Sequence, residues 1–137
     1  MGTSVRLGAV WLRAVSIKGS SYMVFQRSID AGQATNAIAA AHELGKLHRL
    51  ADSLALVLVL SLDPHPHYAR YRDRWLLRLQ QHIALDWEMR QTIDEALRRF
   101  PDPTYRPNAL TTLEWAMESM GQRDCLEVIG RERRRRP

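Results

Sequence analysis

Hydrophobic positions recur along this chain at the three-and-four spacing of helices buried on one face, and a single stretch breaks that rule. In the first patterned segment Tyr22, Phe25 and Ile29 share a face. Ser20 or Ser21 stands where an N-cap belongs, and Gly32 where a left-handed closing residue belongs. Gln33 to Leu44 places Ala34, Ala37, Ile38, Ala41 and Leu44 on one stripe of mostly small residues, which lets a neighbouring helix approach closely, and Gly45 ends it. The exception is Leu54 to Leu62, apolar nearly all round, with Asp52 or Ser53 as its expected cap. A helix without a polar face belongs in the interior, so the rest of the chain is expected to wrap around it. Val57 to Leu60 would also suit a buried strand, but Leu and Ala outnumber the β-branched residues and no second strand is present to pair with it.

Asp63-Pro64-His65-Pro66 is a firm break. Beyond it the run HYARYRDRWLLRLQQHI turns Tyr68, Tyr71, Trp75, Leu79 and Ile83 inward, with Leu76 widening the face. A fifth helix from about Leu85 to Phe100 turns Leu85, Met89, Ile93, Ala96, Leu97 and Phe100 inward. Its Asp86/Arg90, Asp94/Arg98 and Glu95/Arg99 pairs are acid-first at i, i+4, the better orientation. Separate fourth and fifth helices are expected, because in one continuous helix Asp86 would fall on the apolar seam. The rigid loop PDPTYRP holds Tyr105. A sixth helix from about Asn108 to Met120 offers Leu110, Leu113, Ala116, Met117 and Met120, with Gly121 as its cap, and a last short helix uses Leu126 and Ile129 before Gly130.

The pattern therefore predicts an all-α protein of about seven short helices stacked as antiparallel hairpins. These are closed into a compact bundle or drawn out as a short superhelix of the helical-repeat kind. Superposing Ala39, Trp75 and Trp115 gives offsets of 36 and 40 residues, within the range of such repeats, without tetratricopeptide or ankyrin signature residues. The cadence FQRSIDAG, AIAAAHEL, DSLALVLVL between Phe25 and Phe100 resembles that of small all-helical proteins from GC-rich bacterial genomes. That resemblance implies a helical fold and no particular activity. Three regions are expected: a poorly structured or extended basic lead over 1–19, where Val5, Leu7 and Ala9 alternate; one helical domain over 20–130; and a basic tail over 131–137. Met23 is a candidate original start, since the helical pattern sets in close to it.

Composition narrows the picture. The 137 residues are 45% hydrophobic and 26% charged, in the range of one globular domain. Cys125 is the sole cysteine, which excludes an internal disulfide and fits a reducing compartment. No apolar run approaches the ~20 residues of a spanning helix, and no cleavable leader is evident, so a cytoplasmic protein without membrane attachment is expected. The net charge of +5 sits at the ends: residues 1–20 carry +3, residues 131–137 carry +4, and the body between carries −2. Eighteen of the 20 basic residues are Arg, a bias that a GC-rich coding sequence also produces.

Candidate chemistry is sparse. Arg131, Arg133, Arg134, Arg135 and Arg136 form a cluster able to neutralise phosphates without reading sequence, since no aromatic residue is interleaved for base stacking. Arg70, Arg74 and Arg78 repeat at i, i+4, i+8 on the fourth helix, a stripe that can lie along a polyanion or be a helix's wet face. The five histidines have no metal-ligand spacing: after His42-Glu43 the second ligand of a zincin helix would fall on Lys46. No glycine-rich phosphate loop, no nucleophile with a base and no framed carboxylate pair is present, so no catalytic, cofactor or metal residue is assigned. Trp75 and Trp115 are expected inside; Trp11 and Trp87 follow no stripe and are candidate interface anchors. The expectation is a non-enzymatic helical module that binds a protein partner or a second copy of itself. The alternative is a small protein that binds nucleic acid non-specifically through the Arg tail and the Arg stripe.

Overall fold

In the computed structural model, residues 19–45, 47, 49–62 and 66–135 are described, and among them the chain forms seven helices and no strand. Packing divides the chain into two compact units, 1–47 and 48–137.

The first unit is a helical hairpin of α1 (residues 19–30) and α2 (Ala34–Leu44). Phe25 and Ile29 are buried on the expected face of α1, and Ala37 and Ala40 on α2. The turn between them is a Schellman motif. Gly32 adopts φ 70°, its N–H donates to Ile29 O at 3.0 Å, and Gln33 N–H donates to Ser28 O at 2.8 Å. The buried Ser21 hydroxyl donates to the Glu43 carboxylate at 2.9 Å, tying the first turn of α1 to the last turn of α2. Ser20 and Ser21 thus lie inside α1 instead of capping it, and a chain starting at Met23 would lack this tie. Residues 1–18, the greater part of the basic lead, lie outside the described residues.

The second unit contains α3 (Leu50–Leu60), α4 (Tyr68–His82), α5 (Trp87–Arg99), α6 (Arg106–Ser119) and α7 (Arg123–Arg135). Each packs on the next, and α7 packs back on α3, so the five helices close a ring. Of the two arrangements open to the sequence, the compact bundle is formed. Trp75, Leu79, Ile93, Leu97, Leu113, Met117 and Ile129 fill the interior. The run expected at the centre is there: in α3 only Ser53 and Ala55 are not fully buried.

Three boundaries differ from expectation for identifiable reasons. First, α3 begins at Leu50, with Arg49 at the N-cap and no side-chain cap, instead of being capped by Asp52 or Ser53. Leu50 and Ala51 are themselves buried, so burial carries the helix back past the polar pair, and Asp52 sits in the first turn where its charge suits the helix dipole. Second, α6 begins at Arg106, with Pro107 in the first turn, where a missing N–H costs nothing. Third, α7 does not stop at Gly130. It runs through Arg135, so residues 131–135 are helix and not a tail. Arg is a good helix former, the basic last turn suits the dipole, and Arg131–Glu127 (2.8 Å) and Arg135–Glu132 (3.1 Å) pair along the helix.

The α5–α6 turn shows why two further polar side chains are buried. Leu97 O would normally accept from the residue four positions on, but that residue is Pro101, which has no N–H. The buried Tyr68 hydroxyl donates to Leu97 O instead. Tyr105 N–H and Thr104 N–H are both turned to Asp102, leaving the Phe100 and Pro101 carbonyls open. Arg106, 4% exposed, fills both: Nε donates to Phe100 O and Nη2 to Pro101 O, each at 3.0 Å. Its guanidinium also lies 5.3 Å from the Phe100 ring centroid. Neither residue was singled out for this role in the sequence, where Tyr68 reads as an apolar contact and Arg106 as part of a loop.

This accounting sets a prediction. Arg106→Leu leaves the buried Phe100 carbonyl and the part-buried Pro101 carbonyl without donors and should cost about 2–3 kcal/mol, and Tyr68→Phe about 1–2 kcal/mol, in urea unfolding followed by circular dichroism. Trp115→Ala, which removes a mostly exposed side chain, should stay within about 0.5 kcal/mol of the parent.

Candidate functional site

A concave feature lies on the α5–α6 hairpin. Two small residues make its floor: Ala96 on α5 and Ala109 on α6, 6% and 4% exposed. Because both side chains end at Cβ, the larger residues beside them stand above the floor as walls. Thr92, Glu95 and Arg99 line the α5 side, and Tyr105, Asn108 and Thr112 the α6 side, around an open volume of ≈ 310 Å³.

The walls are partly pre-set. Arg99 Nη2 pairs with Glu95 Oε1 at 2.7 Å, and its guanidinium sits over the Tyr105 ring, 5.4 Å from the centroid. Thr92 donates its hydroxyl to Glu88 O at 2.8 Å and Thr112 to Asn108 O at 3.0 Å, so each oxygen keeps lone pairs for an incoming donor. The Asn108 side-chain amide is exposed and has no hydrogen-bond partner among the described residues. The lining carries one acid and one base and so no net charge. Among its lining residues no nucleophile stands beside a base.

Trp115 stands three residues beyond Thr112 and seven beyond Asn108, which puts it on the same face of α6 one turn past the groove. It is 55% exposed, against the expectation of an inward position. The buried face of α6 is formed by Ala109, Leu110, Leu113, Ala116 and Met117, and Trp115 lies two positions, about 200°, from Leu113. Trp87, by contrast, is 70% exposed at the first position of α5, where Asp86 caps the helix by accepting from Met89 N–H at 2.7 Å. Trp11 lies outside the described residues.

The arginine candidates are spread over α4 and α7. On α4, Arg70 and Arg74 are exposed, but Arg78 is half-buried and donates to the Ser53 hydroxyl of α3. Arg72, next to the stripe, is buried, paired with Asp73 at 3.0 Å and placed 5.9 Å from the Tyr68 ring centroid. On α7, Arg131 pairs with Glu127, Arg133 with Glu114 at 3.5 Å, and Arg135 with the buried Glu132. Arg134 is exposed, and Arg136 lies outside the described residues. The two sets ride on helices that both pack on α3 and do not touch each other.

Among the described residues no group of three His, Cys, Asp or Glu is placed to hold a metal, and no helix is long and apolar enough to cross a membrane. Cys125 is buried on α7, where burial and the adjacent Asp124 push its thiol up to about 11, with Arg49 opposing. Burial likewise raises the Tyr68 hydroxyl well above the ordinary tyrosine range, with Arg72 and Arg106 opposing. Comparison with protein-family models, curated proteins and solved structures finds no match.

Both raised groups predict the same alkaline behaviour. The unfolded chain gives up the Cys125 proton near 9.0, before the folded chain does, so stability is intact below that pH and falls as pH rises towards 11. The urea midpoint should therefore drop across that interval. Cys125→Ala should delay the onset of the drop and leave the later, Tyr68-dependent part in place. Cys125 should also resist alkylation at neutral pH until the chain is unfolded.

Proposed function

We propose that this protein is a non-enzymatic helical module that binds another protein through the outer face of the α5–α6 hairpin. The observation that carries the reading is Trp115, more than half exposed beside an open groove whose other end holds the half-exposed Tyr105. The interior is filled without either ring. Large aromatic side chains that the fold leaves out are the residues that most often anchor protein interfaces, because they bring much apolar area at small cost in rotamer freedom. The uncharged balance of the groove supports a protein partner over a polyanion, and the pairing of Arg131, Arg133 and Arg135 with acids weakens the tail as a phosphate contact.

The test is affinity capture with the full chain and with Trp115→Ala/Tyr105→Ala in parallel, followed by reconstitution with the purified captured protein. Loss of a hot-spot pair should weaken the reconstituted complex at least ~30-fold while the urea midpoint stays near that of the parent. Equal binding by both chains would move the interface elsewhere and overturn the proposal. So would salt-sensitive binding to generic DNA or RNA in place of a protein, which would assign the function to Arg70, Arg74, Arg134 and their neighbours.

A further inference from the structure

We infer that the α5–α6 groove takes an extended segment of the partner and reads it through its main chain. The inference rests on the reading of this face as a protein-docking surface, and it names what docks. Three properties of the groove lead there.

The first is charge. Glu95 and Arg99 neutralise one another at 2.7 Å within the groove. A row of phosphates would meet the Glu95 carboxylate, and a basic peptide would meet the Arg99 guanidinium. A neutral occupant that both donates and accepts hydrogen bonds meets no such opposition, and the peptide unit is that occupant.

The second is the inventory of open groups. The Asn108 amide, which has no partner among the described residues, offers a donor and an acceptor side by side, the pair that one peptide unit presents in complementary form. Arg99 uses Nη2 on Glu95 and keeps Nε and Nη1 open. The Tyr105 ring beneath the guanidinium and the Glu95 pair already restrict that side chain, which lowers the entropy lost on engaging a ligand. A helical occupant would gain little from these groups, since its own N–H and C=O groups are already paired.

The third is shape. Ala96 and Ala109 give a floor without side-chain bulk, which suits a backbone that must come close. The run from Thr92 to Arg99 spans seven helical steps, about 10 Å, which matches roughly three residues of extended chain. A volume of ≈ 310 Å³ holds a segment of that order. An apolar residue following the segment would emerge beside Trp115.

The test starts from a displayed library of random dodecapeptides selected on the full chain. Selected peptides, labelled with fluorescein, are then measured by polarisation against the parent chain, Asn108→Ala and Thr112→Tyr. The first variant removes the paired donor and acceptor; the second fills the groove from the surface and leaves the interior alone. The same peptides are also made with single N-methylated main-chain amides. Each variant should weaken binding about tenfold or more, and at least one N-methyl position should do the same, with urea midpoints unchanged. Peptides that bind equally to Asn108→Ala, and that tolerate N-methylation throughout, would overturn main-chain recognition. If they are still lost with Trp115→Ala, the docking face stands without the groove. Failure of any peptide to enrich, while a folded partner still binds in a Trp115-dependent way, would also overturn the inference. Loss of both would remove the docking face as well.

Discussion

A helix with no wet side is the constraint on which the second unit turns. In α3 every position except Ser53 and Ala55 is buried, and burial of each Leu or Val there contributes about 1.5–3 kcal/mol only if other helices exclude water from it. Neighbours in sequence cover part of it: α4 follows α3 and packs on it. The remaining coverage in the ring comes from the far end of the chain, when α7 returns to α3. That return decides two other matters. It forces a closed ring where a repeat-like superhelix would have left α3 exposed on one side, and it makes the Arg-rich segment part of a packed helix. Cys125, Ile129 and Glu132 are the buried positions of α7, spaced four and three apart, so register carries Arg131, Arg133 and Arg134 outward, while Arg135 continues the buried line and stays mostly covered.

The α5–α6 turn connects this packing to the surface that carries the functional proposal. Proline supplies rigidity there but removes donors, and the carbonyls left over must be met from elsewhere because they are buried. Tyr68 and Arg106 meet them. Arg106 is drawn inward against Phe100 while the preceding Tyr105 stays half-exposed, with its ring under Arg99. The inward pull of one residue and the outward position of the next arise from the same turn, so the groove wall is rigid for the reason that the turn is closed. Removing Arg106 would loosen both.

What could be read from the sequence was whatever depends on local period and local breaks. The seven helices, the burial of Phe25, Trp75, Leu79, Ile93 and Leu97, the Gly32 and Gly121 turns, and the separation of α4 from α5 by Asp86 all follow from spacing and capping chemistry within a few residues. Trp115 shows where that reasoning fails. An inward position is expected for it, yet two 100° steps from Leu113 put it on the far face, where it is 55% exposed; helical register is the better guide. Arg106 and the groove were hidden for a different reason. A buried guanidinium is recognisable only once the carbonyls it serves are located, and the groove exists only because Ala96 and Ala109 face each other across two helices thirteen residues apart in the chain. No periodicity within one helix contains that information.

The same distinction between local count and spatial arrangement bears on the arginines. A run of five Arg against one Glu in residues 131–137 reads as a dense positive charge. Wound into α7, it meets Glu127 and Glu132 on its own helix and Glu114 on α6. Polyanion affinity grows with the number of phosphates neutralised, and each arginine already facing a carboxylate contributes less to that number. The exposed Arg131–Glu127 and Arg133–Glu114 pairs are individually weak and screened by salt, whereas Arg135–Glu132 is shielded because Glu132 is buried. Their effect is on the field: they spread alternating charge over the surface of α7 where the composition suggested one sign. Five Arg against Asp124, Glu127 and Glu132 still leave α7 at +2, so the pairing thins its positive field without cancelling it.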